Sequence, residues 1–168
     1  MRMPMFSVIN EARTRYLAVA GLLVLGADQL TKFFVKSNMV VGQSVPEDSP
    51  VRLTYIQNTG SAFGLFANQT IILTIAAALG ILVIGFFFFR GSGASTLFGL
   101  SLVLQLSGAV GNIIDRVAYG HVIDFIDFRV WPIFNVADSS ITIGFLLLAV
   151  VLILGKDKRE RVEDVSLS

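Results

Sequence analysis

The stretch IILTIAAALGILVIGFFFF, residues 71–89, contains no charged side chain. An α-helix rises about 1.5 Å per residue, so roughly 20 apolar residues are enough to cross the hydrocarbon core of a bilayer. Three further apolar segments have a similar length, namely residues 16–35, 95–114 and 136–154. The sequence therefore predicts an all-α integral membrane protein with four transmembrane helices.

The composition supports a membrane protein and excludes several classes of site. Of 168 residues, 54% are hydrophobic and only 15% are charged, which is far from the balance of a soluble domain. The net charge of +1, with no basic stripe outside the termini, gives no support to nucleic-acid binding. Without cysteine and with His121 as the only histidine, thiol catalysis and Cys- or His-rich metal sites are excluded. We expect one membrane-embedded domain, residues 1–168, with no metal and no cofactor.

The distribution of Lys and Arg predicts the orientation, since cytoplasmic loops carry the excess of positive charge. One side would hold Arg2, Arg13, Arg15, Arg90, Lys156, Lys158, Arg159 and Arg161, and the other Lys32, Lys36, Arg52, Arg116 and Arg129. Both termini are therefore expected in the cytoplasm, with a cytoplasmic tail at 156–168 and outer loops at about 37–69 and 117–135. The first span could be mistaken for a cleaved signal peptide, but Asp28 interrupts it and three more spans follow.

The longer outer loop contains a strand pattern. The segment VRLTYIQN, residues 51–58, alternates Val51, Leu53, Tyr55 and Gln57 with Arg52, Thr54, Ile56 and Asn58. It ends in the turn sequence NTG, as a strand would. A small extracytoplasmic β-rich region on the membrane surface is the predicted structure of this loop.

Polar side chains share helix faces near the outer ends of the spans, because residues three, four and seven apart lie on one face. The sets are Asp28 and Lys32 on span one; Ser101, Gln105, Gly108, Asn112 and Asp115 on span three; and Asn135, Asp138 and Thr142 on span four. We expect Ser101 and Gln105 to serve helix packing. Ionisable groups at membrane depth indicate a functional site. The Asp28–Lys32 pair fits a structural or a functional role equally, and Arg116 could either reach the interface or orient Asp115.

With carboxylates as the available catalytic groups, two aspartates held together are the expected chemistry. One keeps a proton because both cannot ionise cheaply, so the pair supplies an acid and a base. By sequence distance, Asp115, Asp124 or Asp127 could partner Asp138. If HVIDFIDFRV (residues 121–130) is extended, Asp124 and Asp127 point to opposite faces; if it is helical, they share one. The alternative for Asp127 is a surface pair with Arg129.

Five blocks of sequence, in order, resemble the bacterial lipoprotein signal peptidases, or signal peptidase II, a family of membrane aspartyl peptidases. The blocks are DQLTK (28–32), NTGSAFG (58–64), GNIIDR (111–116), HVIDF (121–125) and FNVADSSI (134–141). Ser61 stands where the family often has alanine. The resemblance implies a catalytic pair at Asp124 and Asp138, with His121 only a neighbour. It implies supporting roles for Asp28, Lys32, Asn58, Gly60, Asn112, Asp115, Arg116 and Asn135.

The resemblance also implies the activity. The enzyme would remove the signal peptide from diacylglyceryl-modified prolipoproteins, cleaving on the N-terminal side of the lipid-modified cysteine. It would lie in the bacterial plasma membrane with its site near the extracytoplasmic face, and its partners would be the prolipoprotein substrate and membrane lipids. We expect a monomer. The rival classes are an ion or proton transporter, which would need acidic residues across the whole membrane, and a non-enzymatic scaffold.

Overall fold

The computed structural model describes residues 11–60, 69–90 and 95–166, without the side chains of 87–90 and 155–166. The elements in chain order are α1 (Glu11–Asn38), β1 (Ser44–Val45), β2 (Arg52–Asn58), α2 (Thr70–Arg90), α3 (Thr96–Tyr119), β3 (Val122–Asp127) and α4 (Val136–Ser166). Residues 61–64 of the NTGSAFG block, which include Ser61, and Arg2 lie outside the described residues.

The helical membrane architecture is confirmed for three helices. Glu11–Asn38, Thr96–Tyr119 and Val136–Leu154 are long and apolar enough to cross a bilayer. In α2 the apolar stretch with described side chains, Thr70–Phe86, is shorter. The fourth span therefore stays a prediction, as do the division into loops and the cytoplasmic tail.

Helix α3 is the centre of the helical part and packs against α1, α2 and α4. Two glycines allow this close packing. A Cβ on Gly111 would lie 2.5 Å from Asp28 Oδ2 of α1, and one on Gly108 would lie 2.5 Å from Ser140 Oγ of α4 and collide with the Ala137 carbonyl. The three helices therefore meet at the level where α4 begins.

Deeper in the bundle, the polar groups of α3 are used for packing, in agreement with the sequence expectation. Ser101 Oγ donates to the Phe98 carbonyl at 2.7 Å, and Gln105 Nε2 donates to the Ser101 carbonyl at 3.1 Å. A Cβ on Gly144 of α4 would lie 2.7 Å from the same Ser101 carbonyl. The two hydrogen bonds stay within α3, and the close approach of Gly144 is what brings α4 against α3 at this level.

A three-stranded antiparallel sheet, in the order β1-β2-β3, confirms the predicted β-rich region. Strand β2 pairs Ile56 with Asp124 and Arg52 with Asp127, with a bulge between Leu53 and Ile56. One side of the sheet packs on α1 through a buried cluster of Val35, Tyr55, Ile123 and Phe125. This packing places β3 beside the C-terminal ends of α1 and α3.

The contact at Gly108 gives a stability prediction. We expect Gly108→Ala to lower the free energy of unfolding by about 1–3 kcal/mol, because the added methyl meets backbone of α4 that it cannot displace cheaply. Gly80→Ala is the matched control, since a Cβ there meets nothing within 4 Å. Thermal unfolding of the two variants in detergent tests this, and equal stability would show that α3 and α4 do not pack as described.

Candidate active site

Asp138 is fixed by the first turn of α4. Asn135 caps this helix: its side-chain Oδ1 accepts the Asp138 N–H at 2.9 Å, and Asp138 Oδ2 accepts the Asn135 N–H at 3.3 Å. This reciprocal arrangement is a capping box, which satisfies backbone donors that a helix start leaves free. The sequence FNVADSSI therefore both starts the helix and aims the Asp138 carboxylate.

Asp124 lies on β3, and its exposed fraction is only 1%. Asn58 Nδ2, from β2, donates to Asp124 Oδ2 at 2.8 Å, and Asn135 Nδ2 donates to Asp124 Oδ1 at 2.6 Å. Burial and the neighbouring Asp138 charge raise the pKa of Asp124 to about 7, against the two amide hydrogen bonds that favour the ionised form. Asn135 therefore contacts both aspartates and connects the strand to the helix.

The amide orientations of three asparagines are determined by groups that can only donate. Asn112 Oδ1 accepts from Lys32 Nζ at 2.9 Å, Asn58 Oδ1 accepts from the Gly60 N–H at 2.9 Å, and Asn135 Oδ1 accepts from the Asp138 N–H. Each NH₂ group must then face the aspartates. Asn112 Nδ2 accordingly donates to Asp138 Oδ1 at 2.8 Å, so all four carboxylate oxygens of the pair accept a hydrogen bond.

Below the pair lies a buried cluster of charge. Lys32 Nζ is 2.9 Å from Asp28 Oδ2 and 3.0 Å from Asp115 Oδ2, and all three side chains are at most 2% exposed. The predicted Asp28–Lys32 pair therefore forms. Asp115 pairs with Lys32, and the orienting role of Arg116 stays a prediction.

A cavity of about 560 Å³ opens beside the two aspartates. Its polar end includes Asn58, Gly60, Asn112, Arg116, Asp124 and Asp138, and its other walls are mainly apolar, from Val122, Trp131, Pro132, Ile133, Phe134, Ile141 and Ile143. Arg116 Nε is buried and has no hydrogen-bond partner among the described residues. The cavity thus combines two carboxyl groups, a cation and a wall suited to an apolar ligand.

The family model of signal peptidase (SPase) II matches residues 20–154. The chain belongs to the signal peptidase II family. It is 42% identical over 147 residues to the lipoprotein signal peptidase of Halothermothrix orenii, covering 85% of this chain and 96% of that one. It is 41% identical over 150 residues to that of Bacillus subtilis, covering 83% and 96%. Membership makes the chain a membrane protease.

A solved structure has the same fold. A bacterial membrane enzyme determined by the in meso method at 2.3 Å resolution aligns with a TM-score of 0.75 and 31% sequence identity, over 85% of this chain and 89% of that one. The strand and helices that carry the aspartates thus lie within an architecture already seen in a membrane enzyme.

Asp127 is separated from the pair, because β3 is extended and the side chains of Asp124 and Asp127 point to opposite faces. Its Oδ2 accepts from Arg52 Nε at 2.6 Å and from Thr54 Oγ1 at 2.7 Å. Burial opposes ionisation, but these hydrogen bonds hold the pKa of Asp127 below its usual range. The alternative of a surface pair with Arg129 is wrong: only the Arg129 backbone N–H contacts Asp127, and its guanidinium donates to the Glu47 carbonyl at 3.1 Å.

Sequence reasoning missed two parts of the site. Gln29 contacts the buried charge cluster, and its place between Asp28 and Lys32 in DQLTK was the available signal. The apolar wall formed by residues 131–134 lies in the loop after β3. In a loop, the sequence pattern does not show where a side chain points. His121 lies beside Tyr119, with ring centroids 6.1 Å apart, and its place as a neighbour of the pair rather than a base stays a prediction. Within the described ranges, no three acidic or histidine side chains converge as metal ligands would.

Proposed function

We propose that this chain is an aspartic endopeptidase that removes the signal peptide from diacylglyceryl-modified prolipoproteins, cleaving before the lipid-modified cysteine. Its relatives are named lipoprotein signal peptidases, which supports the substrate class. The observation that carries the catalytic type is the pair Asp124 and Asp138, hydrogen-bonded to one asparagine at the polar end of a largely apolar cavity.

The pair can hydrolyse a peptide bond with water alone. Asp138, ionised at a helix N-terminus, takes a proton from water as the oxygen attacks the scissile carbonyl. Asp124, which holds the proton, donates it to the carbonyl oxygen as the tetrahedral intermediate forms. The proton then on Asp138 passes to the leaving nitrogen as the C–N bond breaks, and the hydroxyl proton returns to Asp124 when the carbonyl re-forms as a carboxylic acid.

The surrounding residues divide into two roles. Asn58, Asn112 and Asn135 orient the pair, since their NH₂ groups are already engaged with it. Arg116 is the donor left to bind a substrate carbonyl, and Gly60 lets the substrate backbone come close. The apolar wall would take the acyl chains or the signal peptide from the lipid phase.

The proposed location of the site in the membrane follows from this substrate. A lipid-anchored prolipoprotein reaches the cavity from within the bilayer, so we place the site near the extracytoplasmic face of a bacterial plasma membrane, with both termini cytoplasmic. One chain supplies every group of the site, so a monomer suffices.

A cleavage assay tests the proposal directly. Purified protein in lipid vesicles should convert a synthetic diacylglyceryl-modified prolipoprotein to two products, one starting with the lipid-modified cysteine, as read by mass spectrometry. The same peptide with an unmodified cysteine is the matched control and should be cleaved far more slowly. Cleavage elsewhere in the chain, or equal cleavage of both peptides, would refute the proposed substrate.

The raised pKa of Asp124 predicts the pH dependence. Below about pH 7 the carboxyl keeps the proton that it must donate, and above this value the acid is lost. We therefore expect kcat/KM to fall about tenfold per pH unit on the alkaline side. Initial rates between pH 5 and 9 measure this, and a rate that rises through pH 8 would show that Asp124 is not the acid.

A further inference from the structure

Gln29 lies on α1 between the two residues of the Asp28–Lys32 pair and is half-buried. Its Nε2 is 3.0 Å from Asp28 Oδ2, 3.3 Å from Asp115 Oδ1 and 3.2 Å from the Gly111 carbonyl. One neutral amide thus contacts both of the carboxylates that pair with Lys32. The Gln29 amide therefore connects α1 to α3 at Gly111, where these helices approach each other.

The same two carboxylates hold the backbone beside the catalytic pair. Asp28 Oδ1 accepts the Ala137 N–H at 2.9 Å, and Asp115 Oδ2 accepts the Ile123 N–H at 3.1 Å. Ala137 directly precedes Asp138, and Ile123 directly precedes Asp124. The buried cluster therefore holds the chain one residue before each catalytic aspartate, and Gln29 joins its two halves.

We propose that Gln29 is a positioning residue for peptide cleavage, which sets the separation of Asp124 and Asp138 through Asp28 and Asp115. This inference rests on the proposed function. A misplacement of about 1 Å in reacting groups can cost about a hundredfold in rate, so a group that fixes this separation affects turnover without touching substrate.

A purely structural role, as an adhesive between α1 and α3, makes a different prediction. It would lower the amount of folded protein but leave the pH profile of the folded enzyme unchanged. The charged groups around the two catalytic aspartates and Arg116 are Asp28 and Lys32 on α1 and Asp115 on α3. Replacing Gln29 by a neutral residue changes none of these charges, so a shift of the alkaline limb by about half a unit or more points to the geometry of the pair.

The test compares Gln29→Met with Gln105→Met. Gln105 is a glutamine of α3 whose amide donates to the Ser101 carbonyl within its own helix. For Gln29→Met we expect kcat, per folded enzyme, to fall at least about tenfold with KM nearly unchanged. The alkaline limb of the profile should move at least about half a unit toward lower pH, because a wider pair weakens the effect of Asp138 on Asp124. Gln105→Met should leave the alkaline limb in place.

Two further variants separate the possible failures. Gln29→Asn keeps the amide but shortens the side chain, so it should also move the alkaline limb of the pH profile toward lower pH. This variant tests the positioning role if Gln29→Met does not fold. Asp124→Asn is assayed alongside, and near-normal cleavage of the prolipoprotein by this variant would overturn the proposed function itself. If Asp124→Asn is inactive but both Gln29 variants keep the normal kcat and alkaline limb, only the positioning role is overturned.

Discussion

Asp124→Asn and Asp138→Asn should each lower the rate of prolipoprotein cleavage at least about a thousandfold, the loss typical of removing a general acid or base. Asparagine has the shape of aspartate but cannot exchange a proton with water or substrate. Both variants should still insert and fold, because asparagine has nearly the volume of aspartate and its amide oxygen can still accept one of the two hydrogen bonds made to each carboxyl group. Mass spectrometry of the products measures the loss of cleavage, and the unfolding temperature in detergent shows that the variants still fold.

Asp127→Asn is the matched control for both variants. Asp127 is on the same strand as Asp124 and is also buried, at 3% exposed, but its carboxylate binds Arg52 and Thr54 on the opposite face. We expect a less stable sheet and a cleavage rate per folded molecule within a few-fold of the parent. An Asp127→Asn protein that folds but does not cleave would show that the wrong aspartate was assigned to the pair.

Lys32→Met should cause the largest loss of stability, roughly 3–5 kcal/mol, which is typical when one partner of a buried ion pair is removed. Asp28 and Asp115 would remain as two carboxylates in a region where both are at most 1% exposed. Asn112 would also lose the donor that fixes its amide, so activity should fall as well. The yield of folded protein and its unfolding temperature report the effect.

Lys36→Met controls for the loss of one lysine from α1. Lys36 is exposed and lies 3.4 Å above the ring centroid of Tyr119, a contact that contributes about 0.5–1 kcal/mol. The double variant Lys32→Met/Asp28→Asn should recover part of the stability, since the amide oxygen that replaces the Asp28 carboxylate can still accept the Ala137 N–H. If Lys32→Met unfolds no more easily than Lys36→Met, the charge cluster does not support the fold.

The sequence predicted the parts of the fold that depend on local pattern. Hydropathy located the helices, and alternation in residues 51–58 located β2. The spacing of Asp28 and Lys32 predicted their pair. Each of these predictions depends on the period of a single element, which can be read from its own residues. For HVIDFIDFRV the period left an extended and a helical form open, and the structure shows the extended one, which separates Asp124 from Asp127.

The contacts between elements could not be predicted in the same way. Arg52 pairs with Asp127 because β2 and β3 have a register that includes a bulge, and no pattern within either strand indicates it. Asp115 meets Lys32 instead of Arg116, since neighbouring residues on a helix point about 100° apart. Gln29 was missed because its place between Asp28 and Lys32 does not show that its amide reaches Asp115 on α3.

The cleavage rate of the double variant Asp124→Asn/Asp138→Asn, measured beside the two single variants, tests whether Asp124 and Asp138 act as one unit. Residues of one catalytic unit are strongly non-additive, because losing either one already abolishes the shared chemistry. If the two aspartates act as one unit, the double variant retains about the same residual rate as the slower single variant. A rate reduced by the product of the two single losses would show that the aspartates act independently.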